Sequence, residues 1–255
     1  MDVMLMAHTQ LTQAFKDKVS QWGVTDGQAV ALTAIRTCYS SNKPAELFEI
    51  EGEKYFGQVA TDGGTGSEAD RLIRHIVKSK HTSTLEHIDF HFVISGVSRS
   101  LLAQLTRHRV GFSFSVQSQR YTKFGSGDKS GGFKFVVPDS VKKNGIKIEV
   151  DGESTDALYF ESKADLLFLE SMAHAQKTYD KLRELGIPAE DARAVLPNAA
   201  ACNLVMSANL TALLNFYSKR KPGSGAQHEI SQFAERLKEE VVNVEPWTKP
   251  FFEGQ

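Results

Sequence analysis

The feature that most constrains this chain is a change of hydrophobic period between residues 87 and 109. From His87 to Ser95 apolar residues alternate, with Ile88, Phe90, Phe92 and Ile94 on one side and His87, Asp89, His91 and Val93 on the other. A period of two belongs to a β-strand with one buried face. From Ser98 to Thr106 the spacing turns helical, with Leu101, Leu102 and Leu105 on one face. What this helix delivers at its C-terminal end is Arg107-His108-Arg109, where cations complement the helix dipole.

The segment Arg107–Tyr121 packs three arginines, one histidine, three serines and two glutamines around a few apolar residues. Each guanidinium offers a planar fork of donors that can engage a phosphate bidentately. A solvated helix end would account for two neighbouring arginines, but not for the hydroxyls and amides that accompany them. The stretch reads as an anion-binding segment.

Around it the spacing predicts a short strand over Met1–Met6, helices over Leu11–Trp22 and Ala29–Arg36, and a helix after Ser67 with Leu72, Ile73, Ile76 and Val77 as its stripe. Ser67 is placed to cap that helix. The preceding Asp62-Gly-Gly-Thr-Gly-Ser run lacks the Gly-Lys-Ser/Thr ending and the leading strand of a phosphate loop, so it reads as a breaker cluster. Residues 122–157 change character and read as an inserted, partly mobile hairpin, with strands expected at Phe133–Val137 and Ile146–Val150.

A long helix follows from Leu158, striped by Phe168, Met172, Ala175, Tyr179 and Leu182 and ended by Gly186 and Pro188. Beyond it come a short helix at Ala189–Val195, a strand at Asn203–Ser207, a helix capped by Asn209, an amphipathic helix over Gln227–Val242 and an irregular tail from Glu245. The sum is an α+β chain: a twisted mixed or antiparallel sheet flanked by helices, organised as one catalytic domain over residues 1–255.

Thirty Lys+Arg against thirty-one Asp+Glu leave a net charge of −1, so no global basic field exists to drive non-specific nucleic-acid binding. The two cysteines, Cys38 and Cys202, make neither a disulfide framework nor a four-ligand zinc site, and each reads as a small buried hydrophobe. No apolar run approaches the roughly 18 residues of a membrane span, and Met1–Met4 lacks the character of a signal peptide, which points to a soluble cytoplasmic protein.

The motifs then fall into a family order. Arg107-His108-Arg109, eight residues, and Ser118-Gln119-Arg120-Tyr121 are preceded by His81-Thr-Ser-Thr-Leu-Glu86-His87 and Gln104. They are followed by Ala192-Arg193-Ala-Val-Leu-Pro197, Asn209, Asn215 and Arg220. This set resembles the flavin-dependent thymidylate synthases over most of the chain. The resemblance implies methylation of dUMP to dTMP, with 5,10-methylenetetrahydrofolate as carbon donor and NADPH-reduced FAD as hydride source. It implies flavin contacts at His81, Ser83, Arg107, His108, Arg109, Asn209 and Asn215. It implies dUMP contacts at Gln104, Arg107, Ser118, Gln119, Arg120, Arg193 and Arg220, with Arg220 activating the pyrimidine. It further implies a homotetramer whose FAD sites are shared between subunits. Two positions depart from the family pattern: Val116 stands where Glu or Gln is frequent, and no histidine precedes Ala226-Gln227.

Rival readings use some of the same residues. His87, Asp89 and His91 share one strand face and could serve a metal-dependent nucleotide hydrolase, although an alternating strand with a polar face gives the same pattern with no metal. A nucleic-acid-binding module could use Arg107, Arg109 and Arg120. Ser118 has no adjacent base and orienting group, so it reads as a hydrogen-bonding residue rather than a nucleophile. Cys202 lies in Ala-Cys-Asn, whereas the cysteine-dependent thymidylate synthases, an unrelated fold, use Pro-Cys-His.

Overall fold

A computed structural model describes residues 1–142 and 163–254. Four strands, β1 (Asp2–His8), β2 (Asp89–Ser98), β3 (Phe112–Val116) and β4 (Ala201–Asn209), form one antiparallel open sheet in the order β1-β2-β4-β3. Helices α1 (Gln13–Val19), α2 (Asp26–Tyr39), α3 (Leu47–Phe56) and α4 (Glu68–Lys78) lie between β1 and β2 in sequence, and α5 (Arg99–Leu105) leaves β2 at once. After β3 come α6 (Asp139–Lys142), α7 (Lys163–Glu184) and α8 (Ala189–Ala192); after β4 come α9 (Leu210–Arg220), α10 (His228–Val244) and α11 (Lys249–Glu253). The α+β class expected from the sequence is the class observed. None of the described helices is long and apolar enough to cross a membrane.

The chain packs as two compact units. One holds the described residues of Met1–Asp2, Ile94–Arg107 and Ser115–Leu204; the other holds those of Val3–Val93, His108–Phe114 and the chain from Val205 onward. In the second unit the predicted alternation of β2 is realised, because Ile88, Phe90 and Phe92 are buried while Asp89 is exposed. Leu213, Leu214 and Phe216 of α9 and Ile230, Phe233 and Leu237 of α10 are also buried. The Phe216 and Phe233 rings meet edge to face at 6.1 Å. A further cluster joins Val19, Ala29 and Phe48 with Phe15, Trp22 and Phe56 packed against it.

Helix starts in this unit follow local chemistry. Thr25 accepts from the Gln28 amide at 3.2 Å, and Asp70 accepts from the Ser67 amide at 2.7 Å and its hydroxyl at 3.0 Å. The tail is a correction: instead of running irregularly from Glu245 it forms a 3₁₀ turn (Pro246–Thr248) and α11. Glu245 is fully buried and accepts from the Gly27 amide at 2.9 Å, the Thr25 hydroxyl and the Trp247 indole. Phe252 packs edge to face on Tyr217 at 5.2 Å. Thr25, Gly27 and Tyr217 lie far away in sequence, which is why local spacing does not reveal these anchors.

In the first unit the core joins Phe124, Tyr179 and Ala192, with Phe133, Leu182, Ile187 and Val195 packed around them. α7 carries the expected stripe, with Met172 and Tyr179 buried, and Gly186 follows it at φ +85°, a left-handed conformation that suits glycine at a helix end. Phe133–Val137 is not a strand: Phe135 makes an isolated antiparallel bridge with Ala200, and nothing more of a ladder forms. The described part of the expected hairpin instead folds onto α7. Gln176 accepts from the Phe133 amide at 2.8 Å and donates to the Phe124 carbonyl at 2.9 Å. The strand expected at Ile146–Val150 lies outside the described residues.

Candidate active site

In the second unit the residues expected to hold a flavin lie along α9 and on the segments that meet its two ends. His81 and Ser83 are exposed at the 3₁₀ turn Thr82–His87. That turn is tied to α9 because the Thr211 hydroxyl donates to the Thr82 carbonyl at 2.6 Å and the Leu210 amide to the Ile88 carbonyl at 2.9 Å. Asn209 caps the helix as predicted, its side-chain oxygen accepting from the Ala212 amide at 2.8 Å. The Asn209 amide in turn donates to the Gly111 carbonyl at 3.1 Å. Gly111 sits at φ +73°, and a Cβ there would lie 2.7 Å from the Ala212 Cβ and 2.8 Å from the Asn209 amide nitrogen. Only glycine lets the chain leave Arg-His-Arg and run this close to the α9 start.

His108 and Arg220, a motif residue and the expected catalytic residue, meet here. The Arg220 Nε–H donates to His108 Nε2 at 3.2 Å. The His108 ring rests edge to face on Phe216 at 4.9 Å. The Arg220 carbonyl is held by the Ser231 hydroxyl at 2.8 Å, which fixes the end of α9 against α10. No carboxylate pairs with Arg220 among the described residues. Arg109 and Asn215 are exposed, with no side-chain hydrogen bond to a described residue.

This donor set fits a flavin dinucleotide. An unpaired guanidinium, imidazoles, side-chain amides and hydroxyls suit a pyrophosphate and the polar edge of a ring. Val110, between Arg109 and Gly111, is 89% exposed. Sequence reasoning passed over it. Its signal was an apolar side chain with no helical or strand partner, lodged between a cation and a glycine.

In the first unit the residues expected to hold dUMP lie on and just after α5, on the turn after β3 and on the 3₁₀ turn (Arg193–Val195) that follows α8. Arg107 is exposed and its side chain makes no hydrogen bond or ion pair with a described residue. Gln104 is half-buried, its amide donating to the Ser100 carbonyl at 3.3 Å. Ser118 builds a tight turn: its hydroxyl accepts from the Arg120 amide at 3.1 Å and its carbonyl from the Thr122 amide at 3.0 Å. Gln119 is half-buried beside it.

The turn is braced from behind, because the Gln117 amide donates to the Asn203 carbonyl at 2.9 Å and the Asn203 amide to the Gln117 side chain at 3.2 Å. Past the turn, the Ser126 amide and hydroxyl donate to Asp180 at 3.0 and 2.6 Å. Burial opposes ionisation of Asp180, yet those bonds and one from Gln176 outweigh it and hold the carboxyl below its ordinary range.

Arg120 and Arg193 converge on one residue. The Arg120 Nε–H donates to a Glu190 carboxylate oxygen at 2.9 Å, and the Arg193 Nε–H donates to the Glu190 backbone carbonyl at 2.9 Å. Glu190 was not singled out from the sequence. Its only signal is its place three residues before Arg193 in a short helical segment.

Other expectations change. His87 ends the 3₁₀ turn instead of opening β2, so the proposed strand face of His87, Asp89 and His91 is not formed as read. Among the described residues no group of three or more His, Cys, Asp or Glu side chains is placed to hold a metal. Cys38 is exposed rather than buried, while Cys202 is buried and its thiol donates to the Val97 carbonyl at 3.4 Å.

Comparison with known proteins adds a second line. The family model described as thymidylate synthase complementing protein matches residues 20–247. The chain is 36% identical over 195 residues to a flavin-dependent thymidylate synthase of Haloarcula marismortui, covering 73% of this chain and 76% of that protein. It is 34% identical over 221 residues to the protein of the same name from Geobacter sulfurreducens, covering 87% and 80%. A solved structure of the UMP/dUMP methylase PolB from Streptomyces cacaoi, bound with 5-Br dUMP, is similar in fold, with a TM-score of 0.69 and 24% identity over 99% of this chain and 94% of that one. With the family model spanning most of its length, and relatives matched over most of theirs, the chain belongs to the flavin-dependent thymidylate synthase family.

Proposed function

We propose that the protein methylates dUMP to dTMP, taking the carbon from 5,10-methylenetetrahydrofolate and the reducing equivalents from NADPH through FAD. The observation that carries the reading is the hydrogen bond between Arg220 and His108, which joins the signature motif to the expected catalytic arginine from the far side of the sequence. In the overall change the methylene carbon leaves the folate for C5 of the uracil, the C5 proton departs, and a hydride completes the methyl group. Bound FAD supplies the hydride chemistry.

The chain's own residues bind and orient. Arg107 and Arg109, free of carboxylates, hold the flavin pyrophosphate, and His81, Ser83, His108, Asn209 and Asn215 complete that contact set. Arg107 also serves dUMP, together with Gln104, Ser118, Gln119, Arg120 and Arg193. Arg220 sets a fixed cation where negative charge develops on the pyrimidine, which lowers the barrier with no covalent adduct. His108 serves Arg220 as a positioning acceptor, restricting the guanidinium without cancelling its charge. No protein nucleophile is assigned: the Ser118 hydroxyl is engaged by a backbone amide, and the Cys202 thiol is buried against a carbonyl.

The whole chain is read as one catalytic domain. The enzyme is read as a cytoplasmic homotetramer, with flavin sites completed by residues of neighbouring subunits. Incubating the purified protein with dUMP and leaving out the folate, FAD and NADPH in turn tests the reading. Formation of dTMP in the complete mixture, and its loss at each omission, is the expected result; dTMP formed without flavin rejects it.

A further inference from the structure

We infer that Glu190 sets how tightly the enzyme grips the phosphate of its substrate, by competing with that phosphate for Arg120. The inference rests on the reading of Arg120 and Arg193 as dUMP ligands. Its observation is that one residue holds both arginines by two different groups. The Glu190 carboxylate pairs with the Arg120 guanidinium at 2.9 Å, while its backbone carbonyl holds the Arg193 Nε–H at 2.9 Å. The two bonds do different things. The carbonyl contact positions Arg193 without changing its charge and leaves its terminal N–H groups for a ligand. The carboxylate contact neutralises Arg120 and fills the acceptor position a phosphate oxygen would take.

The pair is also exchangeable. The Arg120 and Glu190 side chains are 52% and 47% exposed, so water screens the attraction and a dianion can displace the carboxylate. Arg120 is held over the Tyr121 ring at 5.5 Å as well, which keeps the guanidinium at the turn once the carboxylate lets go. A phosphate arriving at Arg120 thus meets a cation already in place and a carboxylate that must yield. Glu190 is a specificity-determining residue in this sense: it weakens every anion at Arg120, and it leaves ligands without a phosphate unaffected.

Calorimetric titration of flavin-loaded wild type, Glu190→Gln and Glu190→Ser, each with dUMP and with deoxyuridine, tests this, because both substitutions keep the backbone carbonyl on Arg193. Loss of an exposed pair of this kind corresponds to about a two- to fivefold change in an equilibrium constant. Both variants are therefore expected to bind dUMP about two- to fivefold more tightly than wild type, with deoxyuridine binding unchanged. Equal or weaker dUMP binding in whichever variant melts like wild type overturns the inference alone, and so does an equal gain for deoxyuridine. A wild-type protein that binds no dUMP overturns the inference together with the reading beneath it.

Discussion

Two groups of arginines in this molecule have the same side chain and opposite employment. Arg36, Arg71 and Arg74, on α2 and α4, each end on a carboxylate: Glu51 at 2.6 Å, Glu68 at 2.6 Å and Asp62 at 2.7 Å. Arg107 and Arg109, in the signature segment, end on nothing among the described residues. The first group is committed to the fold, across α2 and α3 for Arg36 and within α4 for Arg71. Arg74, for example, holds Asp62 with two nitrogens and the Thr65 carbonyl with a third, pinning the glycine-rich turn before α4. The second group keeps its donors uncommitted, which is what an anion site requires before its anion arrives. Arg120 and Arg220 lie between the extremes, one shared with a surface carboxylate and the other with an imidazole acceptor.

The contrast can be broken from either side. Arg193→Ala should weaken dUMP binding by about 2–5 kcal/mol, read by calorimetry, if the arginine meets the phosphate in a desolvated contact. Arg220→Ala should lower kcat by about 10²–10³-fold while the melting temperature stays near that of wild type, as expected for removal of one donor aimed at developing charge. On the other side, Arg36→Ala should cost about 1.5–3 kcal/mol of unfolding free energy in a denaturant titration, because Glu51 keeps only neutral partners. Burial alone would push the Glu51 carboxyl up, and hydrogen bonds from Arg36, Ser40 and Asn42 hold it down. Arg109→Ala should change unfolding by no more than about 0.5 kcal/mol, yet abolish FAD retention on gel filtration. An Arg109 variant that unfolds early, or an Arg36 variant that melts normally, would dissolve the distinction.

The smallest effect is one of pH. Hydrogen bonds from Arg74 hold the Asp62 carboxyl at about 2, against an ordinary value of 3.8. A carboxylate whose pKa is depressed by folding stabilises the folded state above its unfolded value. The contribution is therefore intact above pH 3.8 and is lost as pH falls from there toward about 2. Thermal melts of wild type and Asp62→Asn across that window should converge at the acid end, whereas curves that stay parallel would deny Asp62 the role.

What was legible in the sequence depended on how local its physics is. β2, α7, α9 and α10 write their buried faces at short spacing, and the Ser67 and Asn209 caps sit beside the helices they start, so those elements were readable. β3 was missed although Phe112-Ser-Phe-Ser-Val alternates, because the cations around it drew the segment into an anion-binding loop. In the structure the segment pairs as the strand beside β4, and Arg109 and the Ser118 turn lie on its flanks. The opposite error at Phe133–Val137 has a matching cause: alternation was present, but the partner there is the turn leading into β4, which offers a bridge and no further ladder. The anion-binding character of Arg107–Tyr121 was readable from its side chains, whereas the roles of the single site residues were readable only through family resemblance. Glu190 and the Arg220–His108 contact were not, since each depends on residues that the fold brings together from afar.

The most direct test of the account is tritium release to water from dUMP labelled at C5, measured with the flavin-loaded protein, methylenetetrahydrofolate and NADPH. Release that requires the folate and the reductant, and falls with Arg220→Ala, is the predicted result, since substitution at C5 must expel that hydrogen. A folded, flavin-loaded protein that binds dUMP and leaves the label in place under the full mixture would contradict it.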